Sequence, residues 1–260
     1  MGSIIMLGAD PELFLQHAET KEFISAEGIV GGTKYEPKSL GVDGFCVQED
    51  NVMVEFNIPP ASTPEEFSTN IQTALGMIRS IVPQELVFSK VASADFDDRF
   101  LQSEQALTFG CDPDFSGWTE NQNDTPSPCG NMRTAGGHIH ISYPNPEIDT
   151  TLRFLKLVDL FVGIPSIIFD PDTRRKEMYG KAGAFRFKKF GFEYRSLSNF
   201  WIWSEDHTKM VFKQVLKAFK ELNTGKIDTS SPELKELIIS AINHNRRDIA
   251  EDLIKRYNIL

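Results

Sequence analysis

Between Gly136 and Ser142 the chain reads Gly-Gly-His-Ile-His-Ile-Ser, and well downstream it reads Phe192-Glu193-Tyr194-Arg195. In an extended strand residues two apart share a face, so His138 and His140 emerge side by side while Ile139 and Ile141 turn toward a core. Glu193 and Arg195 repeat the arrangement. Gly8-Ala9-Asp10-Pro11-Glu12-Leu13-Phe14 and Gly110-Cys111-Asp112-Pro113-Asp114-Phe115 each set two acids around a proline, again on one face if extended. The first is the stronger signal, because Leu13-Phe14-Leu15 continues it as a buried strand. In Asn51 to Ile58, alternation puts Met53, Glu55 and Asn57 on one face and Val52, Val54, Phe56 and Ile58 on the other. A buried Glu55 needs a partner, and a metal would supply one. A basic cluster follows: Arg174 and Arg175, then Tyr179-Gly180-Lys181-Ala182-Gly183-Ala184-Phe185-Arg186. Its arginines suit bidentate contacts to phosphate oxygens, and its glycines allow close backbone approach. Each cluster alone has a plainer explanation: strand histidines bonded to neighbours, solvated Asx-turns or surface salt bridges. Together, Asp10, Glu12, Glu55, His138, Glu193 and the arginines form the inventory of a magnesium-nucleotide site for phosphoryl transfer.

The elements that must position these residues are strands first and helices later. Ile4–Leu7, Leu13–Gln16, Val42–Gln48 and Val52–Ile58 are short apolar or alternating runs separated by Gly, Asp and Asn, the pattern of antiparallel hairpins. Thr63-Pro64-Glu65-Glu66 combines a capping box with proline at the first helical position, and Phe67, Ile71, Leu75, Ile78 and Val82 then form a stripe. Residues 115–132 read as a long loop beside the histidine strand, of a length that suits a lid. After Tyr143 the order is helix, loop, strand pair and helices to the end, with Ser204 and Ser230 as N-caps. Strands and helices in separate blocks predict an α+β fold, with an antiparallel sheet covered by helices on one side. A single catalytic domain is expected over 1–260, with a helical tail from about 204 to 260.

Composition narrows the function. With Lys+Arg 27 against Asp+Glu 37, the net charge of -10 argues against non-specific grip on nucleic acid or an anionic membrane, and suits a cation-binding cleft. Cys46, Cys111 and Cys129 form no Cys-x-x-Cys unit, which disfavours a disulfide framework or a structural zinc site. The N-terminus lacks an export or myristoylation signal, and Leu160 to Phe169, the most apolar stretch, is too short and too broken to span a bilayer. It reads as buried core. A cytoplasmic location follows as the expectation, and the Asn123-Asp124-Thr125 sequon carries no weight there.

The motif order resembles the glutamine synthetase superfamily of carboxylate-amine ligases, and more narrowly the phage-associated COOH-NH2 ligase type 2 family. The resemblance spans about residues 6 to 203 and rests on Gly-Ala-Asp-Pro-Glu-Leu-Phe, Gly-Gly-His-Ile-His-Ile-Ser, Tyr-Gly-Lys-Ala-Gly-Ala-Phe-Arg and Glu-Tyr-Arg-Ser-Leu-Ser, in that order. It implies a glutamine synthetase-like domain with a curved antiparallel sheet, and use of ATP with two magnesium or manganese ions. A host cytoplasm is implied if the protein is phage-encoded. By the same resemblance Glu12 and Glu55 hold a metal near the carboxylate substrate, while Asp10, His138 and Glu193 hold one on the nucleotide phosphates. His140 then sits beside the nucleotide. Arg195 with Arg186 or Arg174 neutralises the transferred group, and Arg175 joins the nucleotide-binding set. Two departures matter. Asp10 stands where glutamine synthetase itself has Glu, and a motif beginning at residue 8 leaves no room ahead of it for the separate N-terminal β-grasp domain. A site within one chain is therefore expected. The third ligand of the substrate-side metal is open among Gln48, Glu49 and Asp50, and Asp112 and Asp114 have no assigned role.

The implied reaction joins a carboxylate to an amine through an acyl phosphate; the acid and the amine, whether amino acid, peptide or protein side chain, are not specified by sequence. A zinc hydrolase using His138, His140 and Asp112 or Asp114 is the main alternative, but a third histidine would be expected. A guanidino kinase is a fold-level cousin, less suited to the acid pairs. An inactive binding module is disfavoured by the retained cluster of mutually repelling carboxylates.

Overall fold

The computed structural model describes residues 5–108, 114–124 and 130–260. Its strands are β1 (Met6–His17), β2 (Phe23–Ile24), β3 (Lys38–Ser39), β4 (Cys46–Asp50), β5 (Met53–Ala61), β6 (Leu86–Ser89), β7 (Ser93–Asp95), β8 (Phe115–Ser116), β9 (Met132–Thr134), β10 (Gly137–Ser142), β11 (Ala184–Lys188) and β12 (Gly191–Tyr194). Its α-helices are α1 (Pro64–Ile81), α2 (Glu104–Leu107), α3 (Ile148–Val158), α4 (Ile164–Phe169), α5 (Arg175–Met178), α6 (Glu205–Thr224), α7 (Pro232–Asn243) and α8 (Arg247–Tyr257). A π-helical turn over Asp159–Gly163 joins α3 to α4.

One open antiparallel sheet runs β3-β4-β5-β1-β10-β12-β11-β8, with β2 and β6 paired to the far end of β1. Side-chain alternation gives this sheet two unlike faces. Val54, Phe56, Ile139, Ile141, Phe192 and Tyr194 are buried in the main core, against which α1, α3 and α6 pack. The opposite face carries the charged residues. The α+β fold with helices against one side of an antiparallel sheet is thus the observed architecture.

Local physics accounts for the main elements and for the departures. Thr63 caps α1 by accepting from Glu66 N at 3.1 Å, and Glu66 accepts from Ser62 N at 2.7 Å, one residue before the expected partner. The runs read as separate strands before and after Gly8-Ala9-Asp10-Pro11-Glu12 are one continuous strand, β1. Glu12 N donates to Gly136 O at 2.9 Å, so by alternation the missing Pro11 donor faces β5 and the β1–β10 ladder stays intact. The predicted cap Ser230 gives way to Ser231, whose hydroxyl accepts from Leu234 N, while Ser230 bonds Asp228. Ser204 precedes α6 but makes no side-chain cap bond. Within 115–132, Phe115–Ser116 forms an edge strand on β11 and residues 125–129 lie outside the described set, as do Cys111, Asp112 and Cys129. Leu160 to Phe169 is largely buried, as its composition suggests. No helix among the described residues is long and apolar enough to cross a membrane.

Candidate active site

Strand register assembles the charged face. Glu12 on β1 lies opposite Glu55 on β5, Asp10 opposite His138 on β10, and His140 opposite Glu193 on β12, which in turn faces Arg186 on β11. Residues remote in sequence thereby line one cavity of about 330 Å³. It takes in Asp10, Glu12, Glu55, His138, His140, Arg175, Arg186, Glu193 and Arg195. Arg174 does not reach it: its guanidinium pairs with Asp95 at the surface, at 2.8 Å through both terminal nitrogens.

The cavity has two chemically different ends. At one, a ligand atom from each of Asp10, His140 and Glu193 lies within 4.8 Å of the others. His140 Nε2 is 3.2 Å from Asp10 Oδ2 and His138 Nδ1 is 3.6 Å from Asp10 Oδ1. Arg195 bridges Glu193 and His138, and its Nε is 3.5 Å from Asp114 Oδ2. Arg186 and Lys188 also converge on Glu193, at 3.6 and 2.8 Å. Burial alone would raise the Asp10 carboxyl, but His140 and His138, close on its two oxygens, hold it well below the usual range. Glu193 behaves alike: burial and Asp10 push it up, while Arg195 and His138 bring it below normal. Burial depresses the His140 imidazole, and the neighbouring Asp10 more than restores it, leaving a raised value.

At the other end, Glu12, Asp50 and Glu55 each offer an oxygen within 4.8 Å of the others. Lys34 acts on Asp50, Arg195 on Glu55 and Arg175 on Glu12, but burial and the mutual repulsion of the acids outweigh the cations at Asp50 and Glu55. Burial, then the charges of Asp10, Asp50 and Glu12, drive the Glu55 carboxyl well above its ordinary range; burial and Glu12 raise Asp50. Carboxylates so crowded repel one another, and a hard divalent cation with oxygen ligands would relieve that repulsion. The first end also fits such an ion. Asp10 Oδ1 is buried without a hydrogen bond, and Glu193 presents Oε2 to Lys188 Nζ at 2.8 Å. The residues present therefore suit two metal ions, one per end.

Several contributors carry weaker sequence signals. Asp50 shares a face with Gln48 on β4, whereas Glu49 turns away and accepts from the backbone N–H groups of Gly28, Val30 and Gly31. Period two separates Asp50 from Glu49, but only the β4–β5 register brings Asp50 beside Glu55. Lys188 follows Arg186 by two on one strand, the same signal that marks Glu193 and Arg195. Arg133 and Asn51 have none: Asn51, at φ 54°, accepts from Arg133 Nε at 3.0 Å and donates to carbonyls of α2 and Thr108.

Gly136 shows how tightly the histidine strand is held. Glu12 Oε2 accepts from its N–H at 2.5 Å, and a Cβ there would lie 2.4 Å from His138 Nε2. Gly136→Ala should displace the imidazole and weaken manganese binding by about tenfold or more, the usual cost of disturbing what orients a metal ligand. Titration by electron paramagnetic resonance measures this; parental affinity would show that the His138 position is immaterial.

No curated protein matches the chain at a significant level. Among solved structures it is similar to a bifunctional glutathione synthetase from Pasteurella multocida, with 9% identity and a TM-score of 0.45, covering 98% of this chain and 49% of that one. It is similar to ligand-free GmaS, with 10% identity and a TM-score of 0.47, covering 99% and 70%, and to a novel glutamine synthase homolog, with 10% and 0.41, covering 97% and 67%. The chain thus spans about half the length of the glutathione synthetase it matches. The model of the Phage phiEco32-like COOH.NH2 ligase-type 2 family matches residues 128–256, which hold β10 through β12 and the helices that back them. Over residues 128–256, a little under half of its length, the chain is thus similar to that ligase family.

Proposed function

We propose that the protein is an ATP-dependent carboxylate-amine ligase whose reaction passes through an acyl phosphate. The observation that supports this best is the meeting, in one cavity, of two metal-grade acidic groups with the cations Arg186, Lys188 and Arg195. In the proposed reaction a carboxylate oxygen attacks the terminal phosphoryl group of ATP with release of ADP, and an amine then displaces phosphate to form the amide. Glu12, Asp50 and Glu55 would hold the metal on the acid's side; Asp10, Glu193 and a histidine would hold the one on the nucleotide. The metals would supply Lewis-acid stabilisation of phosphoryl and carboxylate oxygens. Arg195, Arg186 and Lys188 would neutralise charge developing on the transferred group from fixed positions, where preorganised charge contributes most. Glu55, whose carboxyl burial and the charges of Asp10, Asp50 and Glu12 push well above its ordinary range, is the carboxylate we assign as base for the incoming amine.

A zinc hydrolase would want a third nitrogen ligand. Among the described residues, His17 accepts from local backbone N–H groups and His207 packs between Phe169 and Phe200, both apart from the cavity. Metal dependence separates the readings. ATP should bind by calorimetry only with magnesium or manganese, because the carboxylates repel phosphates until a cation bridges them. His138→Ala and His140→Ala should each weaken that binding without emptying a stoichiometric metal site. Tight ATP binding under excess chelator, or copurified zinc lost equally from both variants, would contradict the ligase.

A further inference from the structure

The residues assigned so far stand on one face of β11 and β12. Behind the other face lies Asp159, fully buried, the first residue of the π-helical turn. Three donors from three separate segments converge on its carboxylate. Trp118 Nε1 donates to Oδ2 at 2.6 Å, the Tyr194 hydroxyl donates to Oδ1 at 2.7 Å, and the Gly183 backbone N–H is the third.

Each donor belongs to a segment that carries charge into the cavity. Tyr194 stands between Glu193 and Arg195. Gly183 immediately precedes β11, which bears Arg186 and Lys188. Trp118 follows β8, and Asp114 on the other flank of β8 reaches Arg195. The packing leaves no slack: a Cβ on Gly163 would lie 2.6 Å from the Tyr194 hydroxyl, and one on Gly183 would lie 2.7 Å from Trp118 Cδ1. Helix α7 grips the same segments from outside, with Lys235 Nζ donating to Trp118 O at 3.1 Å and Asn243 Oδ1 accepting from Ala182 N at 2.7 Å. A buried carboxylate is seldom kept for stability, since an apolar group of its shape often serves as well. A hub joining three strand ends gives it a different use.

We infer that Asp159 is a positioning residue: its carboxylate ties the β8 segment, the turn before β11 and strand β12 together, and so sets where Asp114, Arg186, Lys188, Glu193 and Arg195 stand relative to one another. The functional meaning of that placement rests on the ligase reading; the tie itself does not. Asp159→Asn keeps an acceptor for Trp118 and can donate to a reversed Tyr194 hydroxyl, whereas Asp159→Leu offers neither. Tyr194→Phe removes one tie and leaves the carboxylate in place.

The test has two arms. In hydrogen exchange on the metal-free protein, Asp159→Leu and Tyr194→Phe should speed exchange of the amides in 115–118 and 183–188 about tenfold while β1 keeps its protection, and Asp159→Asn should stay close to the parent. In calorimetry with magnesium and ATP, the first two variants should lose about tenfold in affinity and Asp159→Asn less than threefold. Should Asp159→Leu not fold, Tyr194→Phe carries both arms. Unchanged exchange at 115–118 and 183–188, or equal loss over the whole sheet, overturns the inference. A parent protein that binds no magnesium-ATP refutes the ligase reading instead, and the exchange arm still decides the role of Asp159.

Discussion

Arg195→Ala is expected to lower turnover by about 100-fold or more, the usual cost of removing a preorganised charge at a developing anion. Arg195 touches Glu193, His138 and Asp114 together. Its loss takes positive charge from the phosphate end and releases three neighbours at once. Glu193 would remain buried with Lys188 and Arg186, so the fold should persist. Glu193→Ala should match the loss of turnover by a different route, through weaker nucleotide-metal binding. Steady-state kinetics beside a thermal melt measures both; normal turnover in either folded variant would remove β12 from the chemistry.

Glu55→Gln should abolish turnover to a similar extent, about 100-fold, yet raise the thermal stability of the metal-free protein. The sign follows from its titration. Burial and the charges of Asp10, Asp50 and Glu12 raise the folded-state value, so the ionised form is less favourable in the fold than in the unfolded chain. The penalty is fully present above the raised value and is relieved as pH falls through it toward the unfolded one. Metal-free protein should therefore gain stability on mild acidification, and Glu55→Gln should flatten that dependence. Manganese should stabilise the parent more at high pH than at low pH, since it binds the ionised carboxylates. A melt series over pH reads all three. A less stable metal-free Glu55→Gln, with unchanged pH slope, would mean that the carboxylates are not in conflict.

Period-two alternation made much of the cavity legible before any fold was known. His138 and His140, Glu193 and Arg195, and Met53, Glu55 and Asn57 all turned out to share strand faces, because a strand fixes side-chain direction locally. Where direction depends on helix phase, the signal fails. Arg174 and Arg175 are neighbours at the start of the short helix α5, about 100° apart, and only Arg175 enters the cavity. Pro11 hid the continuity of β1, since a proline in a central strand is disfavoured unless its missing donor falls on a gap in the ladder. Ser231 could have been chosen over Ser230, because Pro232 marks the first helical position and so fixes the cap before it. Asp159 had no local signature at all. Its partners are 35 and 41 residues away in sequence, and a buried polar hub is defined by tertiary packing alone.

The claim that a carboxylate is phosphorylated and then captured by an amine is tested most directly by isotope transfer. Amino acids with 18O-labelled carboxylates would be incubated with candidate amines, ATP and magnesium, and both the released phosphate and the amide followed by mass spectrometry. The ligase account predicts ADP and phosphate in equal amounts with amide, each phosphate carrying one 18O atom from the acid. Amide formed with release of unlabelled phosphate would contradict it.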